Sequence, residues 1–343
     1  MAQVGNSGTA ARGTVFAFVA LAAVWGGSFL FMKVGLEGLS PAQVVLGRLT
    51  LGTVALVTIM LTTRRRWPRE LRIWAHMLVV AVTFAVLPYS LFSWAEQYVP
   101  SGLASIYNAT TPIMTLLLTP LLLSSERLRG RQILGIVIGL AGVAVLAEPW
   151  QLLASHALTG SLPAQLACLG ATASYGFTAL YMRRFLSGTG YDGITLSTVE
   201  ITLGAAIAWL IAPLDARGII HLSVPVVLAV SALGVLGTGF AYIWYNRVLR
   251  DWGPARVSTV TYLSPVVGVV LGLLLLGEPV QWSEPLGGVV IILGILASLG
   301  VFTARRRSHG GAAPGRVTNT SRGPRAERAP IAADRPEETR GRP

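Results

Sequence analysis

Two stretches decide how this chain is read: "TTPIMTLLLTPLLLSSE" at 110–126 and "LSPVVGVVLGLLLLGE" at 263–278. Each is an apolar run broken by a proline near its start and ended by a glutamate. The likeness extends outward in register. Tyr89 and Tyr242 both stand 23 residues before the matched prolines Pro112 and Pro265, and Ser105 and Ser258 both stand seven before them. From Glu126 and Glu278, Gly135 and Gly287 are both nine on, and Gly142 and Gly294 both sixteen on. Upstream, "WGGSFLFMK" (25–33) matches "YGFTALYMR" (175–183), with Lys33 against Arg183. A common register through most of each half is an internal repeat.

Composition says what kind of repeat. The 343 residues are 53% hydrophobic and 12% charged, with a mean hydropathy of +0.62; soluble domains carry about 25% charged residues. A bilayer core of about 30 Å takes roughly 20 apolar residues per helix. That ruler gives ten spans, near 14–34, 42–62, 74–95, 101–123, 131–148, 163–182, 193–213, 224–246, 256–276 and 285–303. An "ALA" at 20–22 resembles a signal-peptide cleavage site, but the apolar run continues through Phe29 and Phe31, so the first span is kept. The fold class is an all-α polytopic membrane protein of ten transmembrane helices. Five helices per repeat is odd, so the second copy enters from the opposite side and the two repeats are inverted. The expected organisation is an N-terminal cytoplasmic segment (1–13), repeats over 14–148 and 161–303, a linker (149–160) and a disordered basic tail (304–343).

Arginine sets the orientation. Arg64, Arg65, Arg66, Arg69 and Arg72 follow span 2, and Arg127, Arg129 and Arg131 follow span 4. Arg183 and Arg184 end span 6, Arg247, Arg250 and Arg256 flank the junction of spans 8 and 9, and Arg305, Arg306 and Arg307 follow span 10. The alternate loops hold Glu37, Glu96, Glu148, Asp215, Glu278 and Glu284, with Arg217 the one clear basic residue. Because lysine and arginine stay inside, both termini are expected in the cytoplasm of a plasma-membrane protein. The tail carries +6 of the chain's +12; anionic headgroups account for it more simply than nucleic acid does. The single cysteine, Cys168, excludes an intrachain disulfide. No spacing of His and Cys suggests a metal, and no P-loop suggests nucleotide hydrolysis.

The chain resembles the drug/metabolite transporter superfamily, in its EamA-type ten-helix branch. The resemblance is carried by "LAAVWGGSFLFMKVGLEGLSPAQVVLGRLTLG" (21–52), by the 110–126 phrase continued to "GRQILGIVIGLAGVAVL", and by the 263–278 phrase continued to "PVQWSEPLGGVVIILGILAS". It implies solute transport, often export of amino acids, other metabolites or drugs, through a cavity built mainly by helices 1, 3, 4, 6, 8 and 9. Two departures stand out: Tyr175 replaces the usual Trp of the sixth helix, and Pro279 follows Glu278 where a basic residue is common.

The candidate site follows from residues that hydrocarbon tolerates poorly. Arg48 lies about six residues into span 2, roughly 9 Å deep at 1.5 Å per residue, where arginine costs about 2.5–3.5 kcal/mol. It either holds an anionic group of the solute or snorkels outward. Its repeat mate Glu200 either holds an amine or a proton, or bonds between helices. Inversion places the two in different membrane halves, so a direct ion pair is not expected. Pro88, Pro112 and Pro265 lie inside spans and free carbonyls; they read as kinks beside a central cavity, or as kinks without consequence for transport. Asn108 offers an amide to solute or to a neighbouring helix. Trp25, Phe29, Tyr89, Tyr107, Tyr175, Tyr242, Tyr245 and Tyr262 supply ring faces for a solute or fill helix contacts. The glycines of spans 5 and 10 make small faces for close packing, or for a homodimer.

A secondary transporter without cofactor is the leading reading, exporting small metabolites or drugs by alternating access. Its partners are a small-molecule solute and membrane lipids. A nucleotide-sugar or sugar-phosphate exchanger is the alternative within the superfamily, though such solutes call for several basic groups. An intramembrane enzyme would need carboxylates or histidines clustered at one depth, and none are visible.

Overall fold

A computed structural model describes residues 5–123, 126, 128–148, 161–215, 220–253, 257 and 259–299. Among the described residues there is no strand, and the helices fall on the ten expected spans. They are α1 (Gly5–Gly35), α2 (Pro41–Thr62), α3 (Leu71–Ala95), α4a (Ser101–Asn108) with α4b (Thr111–Leu122), α5 (Gly130–Ala147), α6 (Ser161–Phe185), α7 (Gly193–Asp215), α8 (Val224–Trp252), α9 (Val260–Leu276) and α10 (Ser283–Leu299). The proposed linker, the basic tail and Ser258 of the matched serines lie outside the described residues. Helix α1 starts at Gly5, so most of the segment set aside as an N-terminal extension is helix.

Six helices are long and apolar enough to cross a membrane unaided: α1, α2, α3, α5, α7 and α8. The others fall short for visible reasons. Helix α6 keeps Gln165, Thr172, Ser174 and Thr178 buried, so its polar groups face protein. Helices α9 and α10 have 17 residues each. The fourth span, expected as one helix, is broken at Ala109–Thr110, where Thr110 is buried and bonds Thr172 Oγ1 at 3.1 Å. This corrects the reading of Pro112 as a kink inside a helix. It stands in the first turn of α4b, where a missing N–H costs nothing, and the hydroxyl of Thr111 donates to the Asn108 carbonyl at 2.8 Å.

Helix α3 is π-helical over Ala81–Val86, and α8 over Ala232–Phe240. Both stretches lie just ahead of the repeat-matched tyrosines, Tyr89 and Tyr242. In the first, a π-type bond from residue 88 would reach the carbonyl of Thr83; proline has no N–H to give, and the hydroxyl of Ser174 on α6 donates there at 2.6 Å.

Contacts between the halves come in mirrored sets. Helix α1 packs on α8 and α9, as α6 packs on α3 and α4b; α2 packs on α8, as α7 packs on α3. Three repeat-equivalent pairs touch, α2 with α7, α4a with α9 and α5 with α10, and they run antiparallel, the direction an inversion requires. Thr50 bonds Trp209 and Thr53 bonds Ile201. Gly135 lies against Gly294, and Gly142 against Gly287 and Ile291. A Cβ on Gly294 would come within 2.6 Å of the Gly139 nitrogen, so glycine is what lets these backbones touch. The glycine faces offered above as a homodimer contact are thus occupied inside the chain.

Candidate functional site

Helix α2 opens with a capping box: Ser40 Oγ accepts from Gln43 N at 3.3 Å, and Gln43 Oε1 accepts from Ser40 N at 2.9 Å. Pro41 holds the first turn. This fixed start places Arg48 two turns in, facing inward, 6% exposed. Its guanidinium carbon lies 3.7 Å from the centre of the Tyr89 ring, and its Nε donates to Thr238 Oγ1 at 3.2 Å. Thr238 in turn donates to the Leu233 carbonyl five residues back, at 3.1 Å. The second π-helical stretch therefore presents the hydroxyl that orients Arg48.

Arg48 borders a cavity of about 240 Å³ between the halves. One wall is aromatic: Phe29 meets Phe92 edge-on at 5.3 Å between ring centres, Phe92 stacks on Tyr175 at 6.4 Å, and Phe84 leans on Tyr175 at 5.0 Å. Trp25 and Met32 extend it, while Ser28, Asn108, Thr111, Thr261, Ser264, Tyr89 and Tyr242 supply polar groups. Arg48 is the one charged lining residue among the described residues. Its mate Glu200 sits a layer back, accepting from the Tyr242 hydroxyl at 3.2 Å. The tyrosines stand between the two charges, which form no ion pair with each other.

Of the residues singled out from sequence, Trp25, Phe29, Arg48, Tyr89, Asn108, Tyr175 and Tyr242 are brought together on this cavity. Tyr107 is not: it is fully buried on the other side of α4a, donating to Gln165 Oε1 at 2.8 Å. One residue is a turn of about 100° on a helix, enough to separate Tyr107 from Asn108. Tyr245 packs on Trp25 and belongs to a cluster with Val257 and Val260, and Tyr262 packs against the core that holds Ala104 and Ile291. Pro88, Pro112 and Pro265 sit behind the wall, each four residues after a lining residue: Phe84, Asn108 and Thr261.

Sequence reasoning missed Ser28, Met32, Phe84, Phe92, Thr111, Ala179, Gly237, Thr261 and Ser264. A signal for most of them was present. Twelve of the sixteen lining residues form six repeat-matched pairs: Trp25 with Tyr175, Phe29 with Ala179, Phe84 with Gly237, Tyr89 with Tyr242, Asn108 with Thr261, and Thr111 with Ser264. The cavity lies on the axis that relates the halves.

A bundle of apolar helices with mirrored contacts, enclosing a small part-polar cavity at its centre, is the architecture of a membrane transporter rather than an enzyme. The chain belongs to the EamA-like transporter family, which it matches over residues 12–147 and 162–300. It is 27% identical over 288 residues to the uncharacterized inner membrane transporter YedA of Escherichia coli K12, covering 83% of this chain and 90% of that one. A probable terminal-alkyne amino-acid exporter of Streptantibioticus cattleyicolor is 27% identical, covering 88% and 98%. A probable amino-acid metabolite efflux pump of E. coli K12 is 26% identical, covering 83% and 93%. A protein of known crystal structure superposes with a TM-score of 0.60 at 18% identity, over 84% of this chain and 98% of its own; this likeness concerns the fold alone.

Proposed function

We propose that this multi-pass membrane transporter is a secondary active exporter of amino acids or related small metabolites, working by alternating access between halves at 14–148 and 161–303. One observation carries the reading: a cavity walled by repeat-matched pairs, with a single cation among its described lining residues. A site on the axis between inverted repeats is reached from either side as the halves rock. Arg48, buried without a carboxylate partner among the described residues, would draw the carboxylate of a solute, since a charge held in low dielectric is stabilised chiefly by its counter-charge. Tyr242 donates its proton to Glu200, so its oxygen is left to accept from an ammonium. The rings of Trp25, Phe29 and Tyr175 take the apolar part of the solute.

Size agrees. Pockets that bury drug-sized ligands measure roughly 300–1,000 Å³, above the 240 Å³ here. A nucleotide sugar is larger still and asks for several basic groups, where this wall has one. Two of the relatives are named for amino-acid or amino-acid metabolite export. The arginines at the α2–α3 junction would keep both termini in the cytoplasm. Pro265, inside α9, leaves the carbonyl of the lining residue Thr261 without its helical donor and fits a gating role; Pro88 and Pro112 would take part as the points where α3 and α4b bend beside the wall.

The test compares small molecules in the medium of cells overproducing the wild type, Arg48→Ala, or nothing. An amino acid or a derivative that accumulates outside with wild type only, at equal membrane levels of the variant, supports the proposal. Equal export by Arg48→Ala removes the arginine's role, and accumulation of uncharged solutes alone removes the solute class.

A further inference from the structure

Glu96 belongs to no part of the cavity. It follows the last turn of α3, at the end of the molecule opposite the arginine-rich loops, and is 0% exposed. Among the described residues, neither of its carboxylate oxygens has a hydrogen-bond partner, and neither has the hydroxyl of Ser93, one turn before it. The ammonium of Lys33 approaches from α1 but is taken up by the chain itself. It donates to the backbone carbonyl of Glu96 and, at 3.0 Å, to that of Val99. The other titratable groups acting on this carboxyl are Arg48 from α2, Cys168 from α6 and Glu278 from the turn after α9. Burial pushes the carboxyl well above the usual carboxylate range; Lys33 opposes this, and Glu278 adds to it.

A carboxylate sealed from water with no donor is far less stable than the neutral acid in the same place. Two features link that seal to movement. The chain turns at Glu96–Val99 directly into α4a. The carboxylate of Glu278 then closes the start of α4a, accepting from Ser101 N at 2.9 Å, Ser101 Oγ at 2.8 Å and Gly102 N at 3.3 Å. Parting α9 from α4a would break those bonds and bring water to Glu96.

We propose that Glu96 is a proton-binding site, occupied while this end of the transporter is closed and emptied when the end opens to water. On opening, the O–H bond of the acid breaks and the proton passes to water, leaving the carboxylate. On closing, one proton returns from water on that side, and nothing is oxidised or reduced. Acid on that side therefore favours the closed end. The opening step rests on the alternating-access reading above, whereas the protonation does not.

The experiment is infrared spectroscopy of the full chain in lipid nanodiscs at neutral pH, wild type against Glu96→Gln. A protonated carboxyl C=O band present in wild type and missing from the variant is expected; identical carboxyl bands overturn the site. Glutamine has the shape of the neutral acid, so the variant should fold and melt no lower than wild type, and failure to fold also overturns it. The link to opening is read from labelling of the native Cys168 by a maleimide. The wild-type rate divided by the Glu96→Gln rate should rise with pH, approaching tenfold per unit above the point of proton release, the slope set by one linked proton. A flat ratio beside a positive infrared result overturns the link and leaves the proton site. No outcome depends on which solute is carried.

Discussion

Replacing Glu278 with alanine tests the closed end from its other component. The first residue before α4a is Pro100, which offers no side-chain cap, so the carboxylate of Glu278 does from a distance what an N-cap residue does locally. Three hydrogen bonds depend on it. At a net value of about 0.5–1.5 kcal/mol each, with a further 0.3–1 kcal/mol for an anion at a helix start, the half-buried contact is worth about 2–5 kcal/mol. The lower figure alone shifts a two-state equilibrium about 30-fold, since 1.4 kcal/mol is tenfold. The chain carries its own reporter. Cys168 is 0% exposed and shares a cluster with Ala95, Val99, Leu103 and Ala104, the residues that flank and form α4a. Maleimide labelling of Cys168 in lipid should quicken at least 30-fold in Glu278→Ala. Glu278→Gln, which keeps an acceptor but loses the charge, should fall between. A thermal melt separates this from global unfolding, because labelling at 25 °C must quicken without a matching collapse of the melting temperature. Wild-type labelling rates in both variants would refute the idea that Glu278 holds this end shut.

Gly294→Ala should lower stability by about 1–3 kcal/mol, read as a lower melting temperature in detergent, because its Cβ would meet backbone atoms of α5 at 2.6–2.9 Å; flux per folded molecule should survive, since the seam is remote from the cavity. Ala179→Phe should leave folding intact and abolish flux, because a ring there copies Phe29 onto the open side of the wall; unchanged flux measured in proteoliposomes would move the solute path elsewhere. Asp192 caps α7, accepting from Ile194 N at 3.0 Å and Thr195 N at 3.1 Å. Burial raises its pKa, but the bonds from Thr195 and Ile194 and the charge of Arg65 outweigh that and hold the carboxyl below the usual carboxylate range. Its contribution is thus present above the unfolded-chain value, near 3.9, and is lost as pH falls through the lower folded value. Asp192→Ala should cost about 1 kcal/mol at neutral pH and flatten the acid limb of a melting curve taken against pH.

The sequence disclosed the helices and their doubling because both rest on long-range regularity, in hydropathy and in offsets such as Tyr89 to Pro112 and Tyr242 to Pro265. It also disclosed the residues whose burial is costly whatever the context, Arg48 above all. What it hid depends on local phase. A break at Ala109–Thr110 is written in no periodicity, so Tyr107 and Asn108 could not be assigned to opposite sides. The π-helical stretches carry no composition of their own; one adjoins a proline and the other is glycine-rich, and in both a hydroxyl completes the bonding. Glu96 was read for charge balance only, because one position past a span looks like solvent until tertiary packing seals it. Glu278 was legible as the mate of Glu126, but its work at α4a was not.

The pairs that line the cavity are matched in position and unlike in kind: a ring against a methyl at Phe29 and Ala179, a ring against a hydrogen at Phe84 and Gly237. If the halves exchange roles as they rock, a wall identical in both repeats would hold a solute equally well facing either compartment. This one need not. Unequal grip cannot by itself drive net movement, because the balance between the two states shifts to compensate, so direction still comes from gradients. It does let the off-rate differ between the two faces, and a cargo released quickly on one side and slowly on the other turns over with a preferred exit.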